Sequence, residues 1–460
     1  MAARSVLPMN QQGVRWTAQQ VLALAPDDAS RRAGLTLGAS ARWSEAGSSA
    51  SGAVWGLCQG SGGSPYRTVV DTTGTRPACK CSCPSRKSPC KHALGLLLLR
   101  AADEPAVRVA QVPKWASEWL EARGTGQGGQ EIRDPAGPPA KTANPEAARR
   151  RAEQRAERIT LGASELEQRL ADLLRGGLAA AEQSGYGLWE ETARRMVDAQ
   201  APGLAARVRE LGAVPASGAG WPARLLEECA LLHLLDAAWL ARDRLPEPLA
   251  ATVRSRVGLT AAADGPPVAD RWLVLAQYDT SDARLVTRRT WLYGRESGRT
   301  ALVLSFGAAG RAPEVALPAG LMLDAELTFY PGAGQLRADV GASPVPPVPL
   351  DAPPPGVGAA EAVRAYGTAL RDDPWLDSWP VTLSRVIPIP SSEGWQLADA
   401  EGDLALPVDP GALSRPGLWK LAALSGGAPV TVFGECGHRG FTPLTAWPEG
   451  SAETVPLTEP

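Results

Sequence analysis

Four of the chain's seven cysteines fall within twelve residues, at Cys79, Cys81, Cys83 and Cys90, and one of only three histidines, His92, follows at once. An even scatter would place about 0.2 cysteines in such a window. The segment reads ACKCSCPSRKSPCKHALGLLLL, and its skeleton is C-x-C, six residues, then C-x-H. On an extended chain Cys81 and Cys83, at i and i+2, present their thiols to one side. Pro84, Ser88 and Pro89 shape the connecting turn. Pro89 is placed to open a helix whose first turn carries Cys90 and His92 near the positive end of the dipole, where thiolate is favoured. Three thiolates and one imidazole suit one tetrahedral Zn²⁺. Four protein ligands leave no position for a reacting water, so the expected metal is structural.

Cys79 is one cysteine too many. The pair Cys79 and Cys81 has the same C-x-C spacing, and Cys79 lies on the same side of an extended chain. It reads as a thiol standing behind the ligands, a redox reserve or a chance cysteine.

These residues resemble the SWIM-type zinc finger, whose pattern is C-x-C-x(n)-C-x-H: Cys81-Ser-Cys83 with Pro84 behind it, then Pro-Cys90-Lys-His92-Ala-Leu opening a helix. The resemblance covers residues 50–100 or so. It implies one zinc held by Cys81, Cys83, Cys90 and His92, with Cys79 outside the set, and a role in binding DNA or protein. With a finger near residue 80 and a long remainder, the chain looks like bacterial SWIM zinc-finger family proteins. That likeness implies work beside an AAA ATPase and a von Willebrand A-domain protein.

The net charge of −2 excludes a wholly basic nucleic-acid coat. It conceals a local excess, because residues 72–102 hold Arg76, Lys80, Arg86, Lys87, Lys91 and Arg100 and no acid. Three thiolates on Zn²⁺ subtract one charge, leaving a local excess of about five. Arg76, Lys80, Arg86, Lys87 and Lys91 are therefore the candidate nucleic-acid contacts. The apolar run after His92 reads as core, so any contact is with phosphates and weakly sequence-specific.

The expected architecture is α+β and multidomain, with an N-terminal ββα-type zinc finger domain, a central helical region and a C-terminal β-rich region. Residues 1–122 form the finger domain, with its core at 66–100; AVWGLCQG and YRTVVD read as strands before it, and Trp115 and Trp119 as a packing stripe against it. Residues 123–145 form a Gly/Pro-rich linker. Its glycines Gly124, Gly126 and Gly129 have G-x-G-x-x-G spacing but follow no strand, so no dinucleotide site is expected. Residues 146–260 show helical periodicity, including Leu166, Leu170, Leu173 and Leu174. Cys229 and His233 share a face there without further ligands, and His233 reads as a core histidine. Residues 265–460 read as strands of a small barrel or sandwich, with a Pro-rich connector at 343–356 and LWKLAAL as one of the strands. Cys436-Gly-His438 is a lone C-x-H in a loop.

No Walker A, H-E-x-x-H or G-x-S-x-G motif is present. The chain is accordingly expected to be a zinc-binding adaptor and not an enzyme, the finger meeting nucleic acid or protein. The alternatives are a pure protein-interaction partner, and an enzyme with an unrecognised site in 146–460. With no leader and no apolar run of about 18 residues, the expected location is cytoplasmic, away from membranes.

Overall fold

The computed structural model describes residues 16–60, 64–73, 77–85, 87–102, 106–124, 145–178, 185–259, 261–281, 285–308, 313, 317–341, 347–392, 394–413 and 416–458. Most of the expected linker, Arg76, Arg86 and part of the Pro-rich stretch lie outside them.

Two helices, α1 (Ala18–Leu22) and α2 (Asp28–Leu37), precede an antiparallel run of strands β1 (Trp43–Ser48), β2 (Ala53–Cys58), β3 (Tyr66–Asp71) and β4 (Ala78–Cys81). Helix α3 (Lys91–Ala101) follows, then β5 (Arg108–Val109) and α4 (Lys114–Gly124). The sheet order is β4-β3-β2-β1-β5, with β5 parallel to β1. So β3 and β4 lie at one edge of a five-stranded sheet, with the expected extra strands before them, and α3 packs against it. Strand alternation sorts the side chains: Val54 and Val70 face the core shared with α3, while Ala53, Trp55 and Val69 face Ala116, Trp115 and Trp119 of α4. The tryptophan stripe is packing, as its spacing suggests.

Helix α3 is buried from His92 to Leu99, and small residues let α2 lie against it. A Cβ on Gly95 would stand 2.7 Å from the Leu37 Cβ, and one on Gly34 2.9 Å from the Leu94 Cβ. Gly95→Val is expected to force these helices apart at a cost of about 1–3 kcal/mol. Thermal unfolding of the variant checks this, and its zinc content should fall too, since α3 begins at the ligands.

Among the described residues five α-helices follow: α5 (Pro145–Gly176), α6 (Gly185–Asp198), α7 (Pro202–Leu211), α8 (Trp221–Leu240) and α9 (Glu247–Val257). The leucine period behaves as an amphipathic face should: Leu166 and Leu170 are buried, and Leu174 is exposed. Asp236 of α8 is fully buried, and among the described residues neither carboxylate oxygen meets a hydrogen-bond donor.

The C-terminal region holds two six-stranded sheets. The first has β6 (Val268–Ser281), β7 (Leu285–Gly294), β8 (Thr300–Ala308), β9 (Leu321–Phe329), β10 (Ala338–Val340) and β11 (Val348–Pro349), in the order β10-β9-β6-β7-β8 with β11 on β9. Its ends approach each other: the Leu302 amide of β8 donates to the Leu336 carbonyl at 2.6 Å, just before β10. The sheet therefore curls almost into a barrel. The Pro-rich stretch expected as a connector is partly strand, since Val348 pairs with Met322.

After α10 (Ala359–Asp372) comes the second sheet, β12 (Ser378–Ser391), β13 (Gly394–Asp399), β14 (Ala405–Pro407), β15 (Val430–Gly437), β16 (Gly440–Pro448) and β17 (Val455–Pro456). Residues 418–424, expected as a strand, lie instead in helix α11 (Gly417–Ser425). Leu418 and Leu421 point into the core one helical turn apart, and Gly426, at φ 52°, caps the end. Short apolar runs fit either period. Leu273, Leu275 and Trp291 of the first sheet pack on Phe433, Leu444 and Trp447 of the second.

Candidate metal centre

Three local structures bring the ligands together. Cys81 ends β4, paired across from Thr68 of β3. Cys83 lies in the turn that follows. Cys90 is the N-cap of α3, in extended conformation at φ −78° and ψ 166°, and His92 sits in that helix's first turn. Pro89 does not open the helix as expected; it precedes the cap residue.

One donor atom from each of Cys81, Cys83, Cys90 and His92 lies within 4.8 Å of the other three. The Cys81 Sγ to His92 Nδ1 distance is 3.7 Å. Zinc bonds of about 2.3 Å to sulfur and 2.0–2.1 Å to nitrogen imply tetrahedral edges of roughly 3.6–3.8 Å, so the donors fit one structural zinc. The chemistry of the set agrees. Without a cation the thiols burden one another: the bond shared with Cys90, together with burial, pushes Cys81 up to about 11. Burial likewise raises Cys83, and only Cys90 is lowered, by the thiol of Cys81 donating to it. A divalent cation removes this conflict, and because the ligands must shed protons to bind it, affinity falls as pH falls.

Cys79 stands apart from the four. Its Sγ lies 3.4 Å from Ser88 Oγ and faces the Cys90 backbone amide, so it braces the turn carrying the ligands. Sequence reasoning missed two supporting residues. Thr68 Oγ1 lies 3.2 Å from Cys81 Sγ, placed to donate to the thiolate, and the Tyr66 ring packs on His92 at 4.8 Å between centroids. Both occupy the same face of β3, a period-two signal readable in YRTVVD once β3 is paired with β4.

The candidate phosphate contacts divide. Lys80 on β4 and Lys91 at the start of α3 are exposed. Lys87 is engaged: its Nζ lies 2.7 Å from Asp27 Oδ2, and Asp27 also caps α2 by accepting from the Ser30 amide. That lysine holds the Asp27 carboxyl below its ordinary range and ties the ligand turn to α2. Arg76 and Arg86 lie outside the described residues.

The other cysteine–histidine pairs form no second centre among the described residues. Cys229 is buried, but His233 is exposed and bonded to Glu167 at 2.6 Å, so it is not the core histidine expected. Cys436 is buried in β15, in a strand and not in the expected loop. No described helix is long and apolar enough to cross a membrane.

Protein-family models match two parts of the chain: a SWIM zinc finger at residues 76–101 and a SWIM-associated four-helix bundle domain at residues 154–257. The first spans β4 to the end of α3, and the second runs from within α5 to the end of α9. No curated protein and no solved structure matches the chain.

Proposed function

We propose that this chain is a zinc-stabilised adaptor whose finger contacts the phosphate backbone of DNA while the helical and β-rich regions bind protein partners. The observation that carries the reading is a closed donor set flanked by exposed lysines. Protein side chains take all four positions around the metal, which favours binding over turnover. Lys80 and Lys91 stand exposed beside it. Helix α3 is buried and cannot enter a groove, so the contact is with phosphates and weakly sequence-specific. A second reading, a finger that meets only protein, draws on the Lys87–Asp27 pair, which takes one cation out of the candidate contacts.

Anisotropy of labelled single- and double-stranded oligonucleotides, titrated between about 50 and 200 mM salt, tests the choice. Lys80→Glu/Lys91→Glu, with zinc content unchanged, is expected to weaken binding. Loss of two phosphate contacts should lower the slope of log affinity against log salt by about 2. No binding at low salt, with a protein co-purifying instead, would favour the second reading.

A further inference from the structure

A cleft of about 510 Å³ opens where the helical region meets both β-sheets. The junction is tight: Trp375, after α10, inserts among the bundle's apolar side chains and donates from its Nε1 to the Leu231 carbonyl at 2.9 Å. Most charges around the cleft are balanced. Arg254 pairs with Glu247, Arg256 with Asp373 at 2.6 Å, and Asp377 with Arg207 at 3.7 Å.

Two guanidiniums meet tyrosine hydroxyls in place of carboxylates, Arg289 that of Tyr278 and Arg337 that of Tyr330. Among the described residues, neither Arg289 of β7 nor Arg337, just before β10, has a carboxylate at ion-pair distance. Arg289 leans on Tyr278, and its Nε is sealed from solvent without an acceptor. Arg337 lies over the Tyr330 ring, 4.2 Å from its centre. Both guanidiniums line the cleft, so an anion there would meet two charges that no described carboxylate pairs. Guanidinium forks match the oxygens of a phosphate.

The walls suit a planar group. Tyr330 and Trp379 are half-buried, and the Trp379 indole runs beside the glycine-containing turn 331–335, about 3.6 Å from where a Cβ on Gly334 would stand. Aromatic walls with a few converging polar groups, around a volume of about 300–1,000 Å³, are the make-up of small-molecule sites.

We propose that this cleft binds a mononucleotide, with Arg289 and Arg337 meeting the phosphates and the base lying against Trp379 and Tyr330. The site is separate from the zinc finger and does not depend on its contact with DNA.

Calorimetry on the intact zinc-loaded protein tests it, with AMP, ADP and ATP as probes and adenosine and inorganic phosphate as partial ligands. Saturable binding of at least one nucleotide is expected, at least tenfold tighter than either partial ligand. Arg289→Met and Arg337→Met should each weaken it tenfold or more. Arg337→Lys, which keeps the charge and loses the fork, should fall between. If either Met variant fails to fold, quenching of tryptophan fluorescence by the same nucleotide in the native protein, reversed by pyrophosphate, keeps the test open. No saturable nucleotide binding at millimolar concentration would overturn the proposal. So would affinity unchanged in both folded Met variants, or binding only of single-stranded oligonucleotides. Lys80→Glu/Lys91→Glu should bind the nucleotide normally, so this result and the DNA result can fail separately.

Discussion

Cys83→Ser and His92→Ala are each expected to release the zinc and unfold the segment from β4 into the first turn of α3. The four ligands come from a strand end, a turn, a helix cap and a helix, and besides the metal the turn is held by the exposed Lys87–Asp27 pair and the Cys79–Ser88 contact. Metal binding supplies about 10–16 kcal/mol in isolated zinc-finger peptides, far more than one turn gains from hydrogen bonds. Here the loss should remain local. The apolar length of α3, Leu94 to Leu99, stays packed against the sheet and α2 whether or not the metal is bound. Zinc stoichiometry and hydrogen exchange over residues 77–102 are the measurements. Cys79→Ser is the control, expected to keep one zinc because Cys79 braces the turn without joining the donors. A full equivalent of zinc in either ligand variant would sink the assignment.

The second large effect lies in the helical region. Burial, with the charge of Glu167 adding to it, pushes Asp236 up to about 9. The unfolded carboxyl titrates near 3.9. Between those values the folded state holds a proton that the unfolded state has lost, so this group makes stability fall as pH rises from about 4 to about 9. That is opposite to the usual salt-bridged aspartate. Near pH 7 the penalty is on the order of 4 kcal/mol, about three pH units at 1.36 kcal/mol each. Asp236→Asn cannot titrate and should flatten this slope, and Asp236→Leu should raise stability above wild type near pH 8. Urea unfolding of wild type and variants at pH 5 and pH 8, followed by helical circular dichroism, gives the differences. Equal pH slopes in wild type and Asp236→Asn would show that the carboxyl ionises freely.

Much of the centre is legible in the spacing of its cysteines and histidine. C-x-C and C-x-H impose local geometry, and local geometry is what spacing encodes. The supporting groups were harder. Thr68 and Tyr66 reach the ligands only through the β3–β4 register, a nonlocal fact. Lys87, a candidate phosphate contact by sequence, pairs with Asp27, sixty residues earlier. In the C-terminal region, Trp272 and Leu273 each face a different core because β6 is covered on both sides. A strand buried on both faces has no alternation to read, and the short apolar run 418–424 fits a strand as well as the helix it forms. Asp236 carries no sequence signal at all, since a single acid on a helix reads as a solvated residue until its surroundings are known.

The central claim is a single zinc held by three sulfurs and one nitrogen. X-ray absorption at the zinc edge of the purified, intact protein tests it most directly. The account predicts one zinc per chain, three sulfurs at about 2.3 Å and one imidazole nitrogen at about 2.0–2.1 Å, with no oxygen ligand. A shell of four sulfurs, with Cys79 in place of His92, or a shell with a bound water, would contradict it.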